Sequence, residues 1–388
     1  MKRLWDENKG IAFISTFVFM LTMALMVSAF LDISSTETRD LKGRMDFENA
    51  FWYAETGLHK AIWYLITPPS QGGKGPNYQT SSDGLTESFE DGKYNIVIAK
   101  SKSDGTRTIT SKGIYQNLSR KAQQRFAVKS GLFTFAAFGG SSVTMSDSSK
   151  IDSYDSRNGS YDASKAGSDG DIGTNKISKG VISLKNKARV KGDAVVGPKA
   201  NVTTAIQVSG SAVVEGSKLS APREKGLKEV VIPSGIPNSG NLVVRNRTVK
   251  LTKTTYLYNS ISIQTGGLVQ FTKKSVTVYV KGNVTIQGKG IEALDKLPTN
   301  LFILIKGNRS INMSSSPKVY GAVYAPTSTI TLSDSAQLFG SIAGKTITIK
   351  KTSQVHFDEA LADPASASSA EDVRVESVKD SWTEIRGS

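Results

Sequence analysis

The first 66 residues combine an uninterrupted apolar stretch with a periodic one. Residues 11–31 carry no charge, and as a helix they span roughly 30 Å, the thickness of the hydrocarbon core of a bilayer. Beyond residue 40, apolar positions recur mostly every three or four residues, as in an amphipathic helix. They are Leu41, Met45, Phe47, Phe51, Ala54, Leu58, Ile62 and Leu65. The pattern predicts one long helix over 11–66 that ends before two prolines.

The charges around the apolar stretch predict its orientation. The preceding segment carries three basic residues, which are Lys2, Arg3 and Lys9. The positive-inside rule therefore places residues 1–10 in the cytoplasm and the chain after residue 31 outside it. A cleaved signal peptide is the alternative, since the small residues at 27–29 resemble a cleavage site. Two acidic residues in the same leader, and the length of the stretch, favour an uncleaved transmembrane helix over 11–31.

The next segment, residues 32–135, extends the helix and then changes to strands. A loop rich in Gly, Ser and Pro follows at 70–84. Three alternating or β-branched runs come after it, at 94–99, 106–113 and 123–128. They predict a small antiparallel sheet that packs on the exposed half of the helix.

From residue 136 the chain is rich in Ser, Gly, Thr and Val, and a two-strand pattern recurs. Clear copies are Ile182/Leu184/Ala188/Val190/Gly192, Ile206/Val208/Ala212/Val214/Gly216, Ile311/Met313/Pro317/Val319/Gly321 and Ile330/Leu332/Ala336/Leu338/Gly340. Looser copies start at Val143, Ile261 and Ile347. One copy cannot bury its apolar face alone, so the copies must stack. The repeat predicts a parallel β-helix, or solenoid, over 136–362, with a β-sandwich as the alternative.

The predicted fold class is therefore α+β. A long N-terminal transmembrane and amphipathic helix with a small antiparallel sheet precedes a mainly-β parallel β-helix of roughly ten stacked coils. Residues 363–388 complete the chain as a linker and C-terminal tail. The Ser- and Ala-rich stretch 363–370 is typical of a flexible linker, and Val373 and Val375 are candidates for a final strand.

Composition narrows the chemistry that the chain can perform. Its 388 residues include no Cys and two His, which are His59 and His356. These counts exclude disulfides, thiolate metal sites and Cys nucleophiles, and they disfavour a multi-His metal centre. We therefore predict a protein that is not an enzyme, with no catalytic, cofactor-binding or metal-binding residues.

The net charge of +15 is concentrated in the predicted β-helix. Residues 136–362 hold 29 basic and 15 acidic side chains, a difference of +14. The basic side chains are dispersed singly among Ser, Thr and Gly, which favours a solvated β surface. An anionic surface, a glycan or DNA is the alternative partner for this charge.

Two features of the β region suggest specific chemistry. The acid-rich segment 146–171 contains Asp147, Asp152, Asp155, Asp162, Asp169 and Asp171. Carboxylates bind Ca²⁺, but this spacing fits no EF-hand and favours a solvated loop. His356 lies beside Asp358 and Glu359, where a polar cap on the last coil is favoured over acid–base chemistry. An enzyme resembling polysaccharide lyases remains a third hypothesis, although no cluster of Asp, Glu and Arg recurs on one strand face.

Residues at and after the membrane segment resemble a known family. The Lys9-Gly10 step before an uncharged helix is similar to the leader of type IV prepilins and type II secretion pseudopilins, with cleavage between Gly10 and Ile11. Residues 36–61 resemble the N-terminal region of PilX-type pilus assembly proteins. The matching residues are Glu37, Arg44, Met45, Ala50, Phe51, Ala54, Glu55, Gly57, Leu58 and Ala61. A generic packing role for the small residues on any helix is the alternative.

One position departs from the pilin pattern. In major pilins the fifth residue after the cleaved Gly is a Glu, which neutralises the N-terminal amine of a neighbouring subunit inside the apolar filament core. Here that residue is Ser15. Because a buried charge needs a partner, the resemblance implies a minor, apical subunit instead of the bulk filament subunit.

The β region also resembles a β-helical domain of unassigned activity that often follows PilX-type heads. The matching stretches are 154–156 (Tyr-Asp-Ser), 174–175 (Thr-Asn), 321–326 and 355–361, with a weaker match at 381–384 (Ser-Trp-Thr-Glu). The resemblances of the head and of the body therefore agree.

Pattern and resemblance together predict a non-enzymatic minor pilin-like subunit of a type IV pilus or a related filament or secretion system. Its helix crosses the inner membrane once, and its β-helix is displayed outside the cytoplasm, and at the cell surface after assembly, for assembly initiation, tip capping or adhesion. Expected partners are other pilins, the assembly machinery and the lipid around 11–31, without a small-molecule substrate. A permanently membrane-anchored β-helix adhesin is the alternative.

Overall fold

The computed structural model describes residues 2–67, 69–101, 106–131, 133–362, 373–378 and 380–385. The chain divides into two compact units. The first comprises Met1–Trp63, Tyr78–Ala127 and Glu376–Ser388, and the second comprises Tyr64–Asn77 and Val128–Val375. The expected linker at 363–370 lies outside the described residues.

A single helix, α1 (Lys2–Ile66), opens the first unit. Its 65 residues correspond to about 98 Å at 1.5 Å per residue. The long helix predicted from the apolar pattern is therefore present and starts before the apolar stretch. Its packed face is shorter than predicted, because Leu41 and Met45 are 61% and 64% exposed.

The small antiparallel sheet predicted after the helix is present. Its first strands are β1 (Leu85–Phe89), β2 (Gly92–Lys100), β3 (Arg107–Tyr115) and β4 (Leu118–Ser130), each antiparallel to the next. Along β2 and β3 every second side chain is buried, which is the pattern of strands with one face on a core.

The second unit holds a large sheet with parallel pairing. Its strands are β5 (Ala137–Met145), β6 (Lys150–Tyr154), β7 (Ile172–Gly173), β8 (Ile182–Leu184), β9 (Arg189–Val190), β10 (Ala194–Val196), β11 (Ile206–Val208), β12 (Val213–Val214), β13 (Lys218–Ser220), β14 (Asn241–Val244), β15 (Thr248–Leu251), β16 (Thr255–Tyr258), β17 (Ser260–Ile263), β18 (Leu268–Phe271), β19 (Val276–Val280), β20 (Val284–Ile286), β21 (Gly290–Glu292), β22 (Leu301–Ile305), β23 (Ser310–Met313), β24 (Lys318–Leu332), β25 (Gln337–Ile349) and β26 (Gln354–Asp358). A one-turn helix, α2 (Val202–Ala205), precedes β11.

Two further strands follow the large sheet along the chain, β27 (Val373–Ser377) and β28 (Thr383–Ile385), and both belong to the small sheet. β28 pairs antiparallel with β4, with Thr383 opposite Gln123. The large sheet is thus inserted in the sequence between strands of the small one. The strand expected at Val373 and Val375 is therefore present as β27, and β28 is a further strand in the segment expected as a tail.

The strands of the large sheet form three parallel rows. In pairing order the first row is β14, β17, β20, β23, β24, β25, β5, β8 and β11. The second row is β15, β18, β21, β24, β25, β26, β6, β9 and β12. The third row is β16, β19, β22, β24, β25, β5, β7, β10 and β13. The long strands β24 and β25 each belong to all three rows.

Equivalent positions of the sequence repeat pair with one another in these rows. In the first row the apolar column is Leu242, Ile261, Val284, Ile311, Ile330, Ile347, Val143, Ile182 and Ile206. All but Leu242 are at most 4% exposed, and they belong to one hydrophobic core. Alternation within each strand places this column on the buried side.

The order of the rows differs from the order of the chain. β25 pairs with β5, so that Ile347 lies opposite Val143, and β26 pairs with β6, so that His356 lies opposite Asp152. The last copies of the repeat therefore adjoin the first ones, in the interior of the rows. The expectation that His356 caps an end of the stack is wrong for this reason, and His356 is 1% exposed.

Polar turns between the first and second rows also stack. Two consecutive residues in several of these turns have positive φ without being glycine, for example Asp334 (55°) and Ser335 (60°). The left-handed conformation costs roughly 1–2 kcal/mol per residue. Each such turn donates a backbone hydrogen bond to the next turn in the stack, as when Ser335 N–H donates to the carbonyl of Lys351 at 2.9 Å. Stacking thus offsets the strain.

The central strands of the third row are buried on both faces, and the segment after β13 covers part of their outer side. Residues 221–230, between β13 and β14, contribute Val230 to a second apolar cluster that includes Phe138 and Tyr324. Tyr324 Oη donates to the carbonyl of Lys228 at 2.6 Å. Lys225, 8% exposed, donates from Nζ to the carbonyl of Gly131 at 3.1 Å. These contacts hold the connection against the sheet.

The order of the rows makes a direct prediction. The paired residues Thr144 and Thr348 lie on the outer side of β5 and β25, and parallel neighbours are about 4.8 Å apart, which suits a disulfide. In this cysteine-free chain, the variant Thr144→Cys/Thr348→Cys is expected to form one on mild oxidation. Peptide mass spectrometry under non-reducing conditions detects it.

The matched control is Thr144→Cys/Thr285→Cys, whose positions are four strands apart in the first row, about 19 Å. This control should stay reduced. Rows stacked in chain order would leave both variants reduced, since Thr144 and Thr348 would then lie near opposite ends and Thr144 and Thr285 would still not be neighbours.

Candidate functional site

The N-terminal half of α1 presents apolar side chains on all sides. Phe13, Phe17, Met20, Leu25 and Phe30 are between 61% and 74% exposed. By length and composition the stretch is able to cross a membrane. Apolar surface of this extent requires lipid or other apolar helices around it.

The residues that carried the family resemblance occupy two environments on α1. The candidate cleavage residues Gly10 and Ile11 lie within the helix, whose side chains are described from Phe13 onward. Glu37 and Arg44 are exposed. The buried residues are Ala50, Ala54, Gly57, Leu58 and Ala61, and Phe51 and Glu55 are half-buried. Spacings of three and four residues place the buried set on one helix face.

Small residues on that face allow the helix backbone to approach the small sheet. A Cβ added at Gly113, in β3, would overlap the carbonyl oxygen of Ala50 and the amide nitrogen of Ala54. A Cβ added at Gly57 would overlap Oγ of Ser111. The small residues of the motif are therefore required by close packing of this helix on this sheet.

The other part of the motif contacts the C-terminal strand segment. Trp382, just before β28, donates from Nε1 to Oε1 of Glu55 at 3.0 Å. Its ring lies edge-on to Phe51, with centroids 6.3 Å apart. Arg120 of β4 forms an ion pair with Glu384. The similarity at 36–61 and the weaker one at 381–384 thus describe one contact within the first unit.

The second unit contains a groove on the outer side of the second row, with a volume of about 800 Å³. Four successive strands, β24, β25, β26 and β6, form its floor. One column of side chains on this floor is Lys318, Gln337, Gln354 and Lys150. A parallel column, two residues further along each strand, is Tyr320, Phe339, His356 and Asp152.

Aromatic rings are stacked along the second column. Tyr320 and Phe339 are parallel to within 8°, with centroids 4.5 Å apart. Phe339 and His356 follow at 4.8 Å. Tyr161, from the loop between β6 and β7, covers His356 at 3.9 Å. Each ring of the stack therefore packs against its neighbour on the adjoining strand or loop.

A buried carboxylate closes the aromatic column. Asp152 is fully buried and its oxygens contact three groups. His356 Nδ1 lies 2.6 Å from Oδ1, and both Tyr161 Oη and Lys150 Nζ donate to Oδ2 at 2.8 Å. This carboxylate joins the loop over the groove to the pairing of β6 with β26.

Two aspartates of this region have opposite pKa shifts. Burial acts to raise the pKa of Asp152, but the hydrogen bonds from His356, Lys150 and Tyr161 outweigh it and hold the pKa below its usual value. Burial raises the pKa of Asp358, against hydrogen bonds from the Ser156 and Ala360 amides. The ionised form is therefore favoured at Asp152 and disfavoured at Asp358.

The sequence favoured a solvated loop for the acid-rich segment 146–171. In the structure only part of this segment is exposed to solvent. Asp152 and Asp171 are at most 3% exposed, and Asp171 Oδ1 accepts the amide of Asp193 at 2.7 Å. Asp155 and Asp162 accept hydrogen bonds within their own turns. Among the residues that the structure describes, no group of three or more His, Asp or Glu is placed to hold a metal ion.

The outer side of the first row contrasts with the groove because it carries no charged side chain among its paired positions. Its central strands present Thr285, Asn312, Thr331, Thr348 and Thr144 in register. The basic excess of the β region therefore lies on other surfaces.

Sequence reasoning singled out His356, Asp152 and Asp162 but missed the aromatic and amide residues of the groove, although a signal existed. Tyr320 and Phe339 precede the repeat glycines Gly321 and Gly340, and His356 follows the buried Val355 at the same register position. Comparing the copies at this single position would have shown an aromatic column. Tyr161 carried no such signal, because it lies in an irregular loop.

Comparisons with known proteins give limited similarity. A family model described as a domain of unknown function, DUF7305, matches residues 241–364. A search of curated proteins finds no match. The crystal structure of the competence-associated pilin ComZ from Thermus thermophilus aligns over 88% of this chain and 97% of its own, with a TM-score of 0.37 and 11% identity.

A second solved structure is similar over a smaller part of the chain. It is the DUF3494 domain of ice-binding protein 1 from Shewanella frigidimarina, which aligns over 58% of this chain and 94% of its own, with a TM-score of 0.33 and 11% identity. Similarities at this level establish neither fold nor function for this chain.

Close packing of the helix on the small sheet predicts the effect of adding a methyl group. Gly113→Ala should lower the free energy of unfolding by at least about 1–3 kcal/mol, since the backbones must move apart. The control is Gly43→Ala, on the exposed part of α1 with no atom within 4 Å of the added group, which should be neutral or stabilising. Thermal unfolding of the full-length protein in micelles compares them, and equal midpoints for Gly113→Ala and wild type would contradict the packing argument.

The lowered pKa of Asp152 predicts a pH-dependent contribution to stability. A carboxyl whose pKa is lower in the folded state stabilises the fold above its unfolded value, about 3.9, and loses this effect as pH falls through the folded value. Asp152→Asn should therefore cost about 2 kcal/mol near pH 7 and progressively less below pH 4. The unfolding midpoint of both proteins across this range measures the difference.

Asp334→Asn serves as the control for that experiment. Asp334 pairs with Lys351 at 3.0 Å, but both side chains are at the surface, and exposed pairs contribute little. Its unfolding midpoint should match wild type at pH 7. A difference between Asp152→Asn and wild type that stays constant with pH would refute the assigned role of the carboxylate.

Proposed function

We propose that this chain is a non-enzymatic minor pilin-like subunit of a type IV pilus or a related filament or secretion system. The observation that carries the proposal is the continuity of α1, whose exposed apolar half runs directly into a face packed closely on a small antiparallel sheet. The PilX-type residues of that face, Ala50, Ala54 and Gly57 among them, support a pilin-like head.

In this proposal α1 has two environments in turn. It first crosses the inner membrane once, with the basic leader in the cytoplasm and the chain after residue 31 outside, as the positive-inside rule predicts. It then leaves the membrane with the subunit and packs among the apolar helices of other pilins. Both environments cover the exposed side chains of 13–31. The partners are accordingly membrane lipid, other pilins and the assembly machinery.

A minor position in the filament is supported by Ser15. A filament core built from this helix alone would lack the carboxylate that neutralises the N-terminal amine of a neighbouring subunit, and an unpaired buried charge is costly. The subunit therefore suits a place at the tip or at assembly initiation. A subunit present in few copies there does not have to supply this carboxylate throughout the filament core.

We further propose that the large sheet is a parallel β-helix that serves as the displayed body. Each strand from β14 to β20 pairs in parallel with the third strand after it, and the inward columns share one core. Both features are expected of coils with three strands each. A rigid body of this kind suits tip capping or adhesion to a surface.

The alternative is an adhesin anchored permanently in the membrane by the same helix. Exposure of residues 13–31 supports it equally, since lipid alone would cover them. The two proposals differ in whether the leader is removed and whether the protein enters a fibre.

Mass spectrometry of the N-terminus, on sheared surface fibres and on membranes separately, distinguishes them. We expect a form that begins at Ile11 in the fibre fraction, far below the amount of the major pilin. Gly10→Val should abolish this form and leave the protein in the membrane, while Gly43→Val, on the same helix, should not. A protein beginning at Met1 and found only in membranes would support the anchored adhesin, and one beginning at Phe30 would contradict both.

A further inference from the structure

The groove on the second row offers polar groups that the protein itself does not use. The side-chain amides of Gln337 and Gln354 are neighbours on the floor, and neither has a hydrogen-bond partner among the described residues. Lys318, exposed at the end of the same column, forms no ion pair among them either. A row of amides that ends in ammonium groups can both donate to and accept from a ligand.

The dimensions of the groove suit an extended chain. Its floor spans four strands, or three spacings of about 4.8 Å, which is roughly 14 Å. Its volume of about 800 Å³ is within the range of ligand clefts. The repeat of a β-linked pyranose chain is close to the spacing between strands, so successive sugars would meet successive strands.

The walls of the groove offer both hydrogen-bond acceptors and donors. Asp162 and Asp295 line the groove together with three lysines. A carboxylate accepts a hydrogen bond from a sugar hydroxyl, and an ammonium group donates one to it. Tyr320 and Phe339 are stacked on each other at 4.5 Å, so a nucleobase cannot insert between them. A saccharide therefore fits these walls better than a single-stranded nucleic acid.

We propose that this groove binds an extended saccharide chain, with about three sugars on the floor. The amides of Gln337 and Gln354 hydrogen-bond the hydroxyls of adjacent sugars, Asp162 and Asp295 accept from further hydroxyls, and Lys318 attracts a carboxylate where the chain carries one. The proposal goes beyond the filament role and stands on the groove alone, so it holds equally for a pilus subunit and for an anchored adhesin.

The test is isothermal titration calorimetry on the full-length protein in a detergent without a sugar headgroup, since glycoside detergents would compete. The probes are cellohexaose, which is neutral, and hexamannuronate, which is acidic; both are β-linked. We expect both to bind, and the acidic one to bind more tightly at low salt. Gln337→Ala/Gln354→Ala should weaken both at least tenfold, and Lys318→Ala should weaken mainly the acidic probe.

Controls separate a local effect from loss of the fold. Gln207→Ala changes an exposed glutamine on the first row, and Lys273→Ala changes an exposed lysine in the turn after β18; neither should affect binding. Each variant must also keep the unfolding midpoint of wild type. If neither oligosaccharide binds at millimolar concentration, or if binding is the same in the groove variants, the proposal is overturned. If neither saccharide binds, but a single-stranded DNA dodecamer binds to wild type and the groove variants weaken that binding, the groove is assigned to nucleic acid instead.

Discussion

The pairing of the last strands of the large sheet with its first strands is the constraint on which the second unit depends. Residues about 200 positions apart meet there, as in the contact of His356 with Asp152. The pairing gives β5 and β6 neighbours on both sides, and it places a buried charged network in the interior of the rows. Because this contact is so non-local, its loop-closure entropy must be offset by many apolar contacts forming together. The unbroken column from Leu242 to Ile206 supplies them.

The helix of the first unit is subject to a different constraint. Where it packs on the small sheet, backbone atoms of the helix and of β3 are close enough that only small residues fit between them. Motif residues that look like a family signature therefore have a local physical reason at Ala50, Ala54 and Gly57. Glu55 and Phe51 have another, since they hold Trp382 and with it the strand that ends the sheet. The residues that resemble the family pattern are therefore the same residues that the packing of this unit requires.

Charge is distributed over the β region by surface and not evenly. The outer side of the first row carries hydroxyl and amide groups, while the groove of the second row brings lysines, aspartates, glutamine amides and stacked rings together. For the net charge of +14 over this region the sequence favoured a solvated β surface, with an anionic surface, a glycan or DNA as the alternative partner. The arrangement instead concentrates specific donors and acceptors at one place, which is the condition for recognising a particular ligand. In the two proposals the apolar helix and this groove have separate roles, one in assembly and one in contact with a ligand.

The sequence by itself determined what depends on local periodicity. It predicted the long helix, its end near the prolines, the small antiparallel sheet and the alternation that buries Ile182, Ile311 and Ile330, because helix and strand periods are written into neighbouring residues. Tertiary structure alone decided the order of the rows, the return of β28 to the small sheet, and the burial of Asp152 and His356. Equivalent copies of a repeat can pair in more than one order with the same local pattern, so the order is selected by contacts between distant residues. The groove exists only because that order brings Tyr320, Phe339 and His356 beside a loop from the start of the domain.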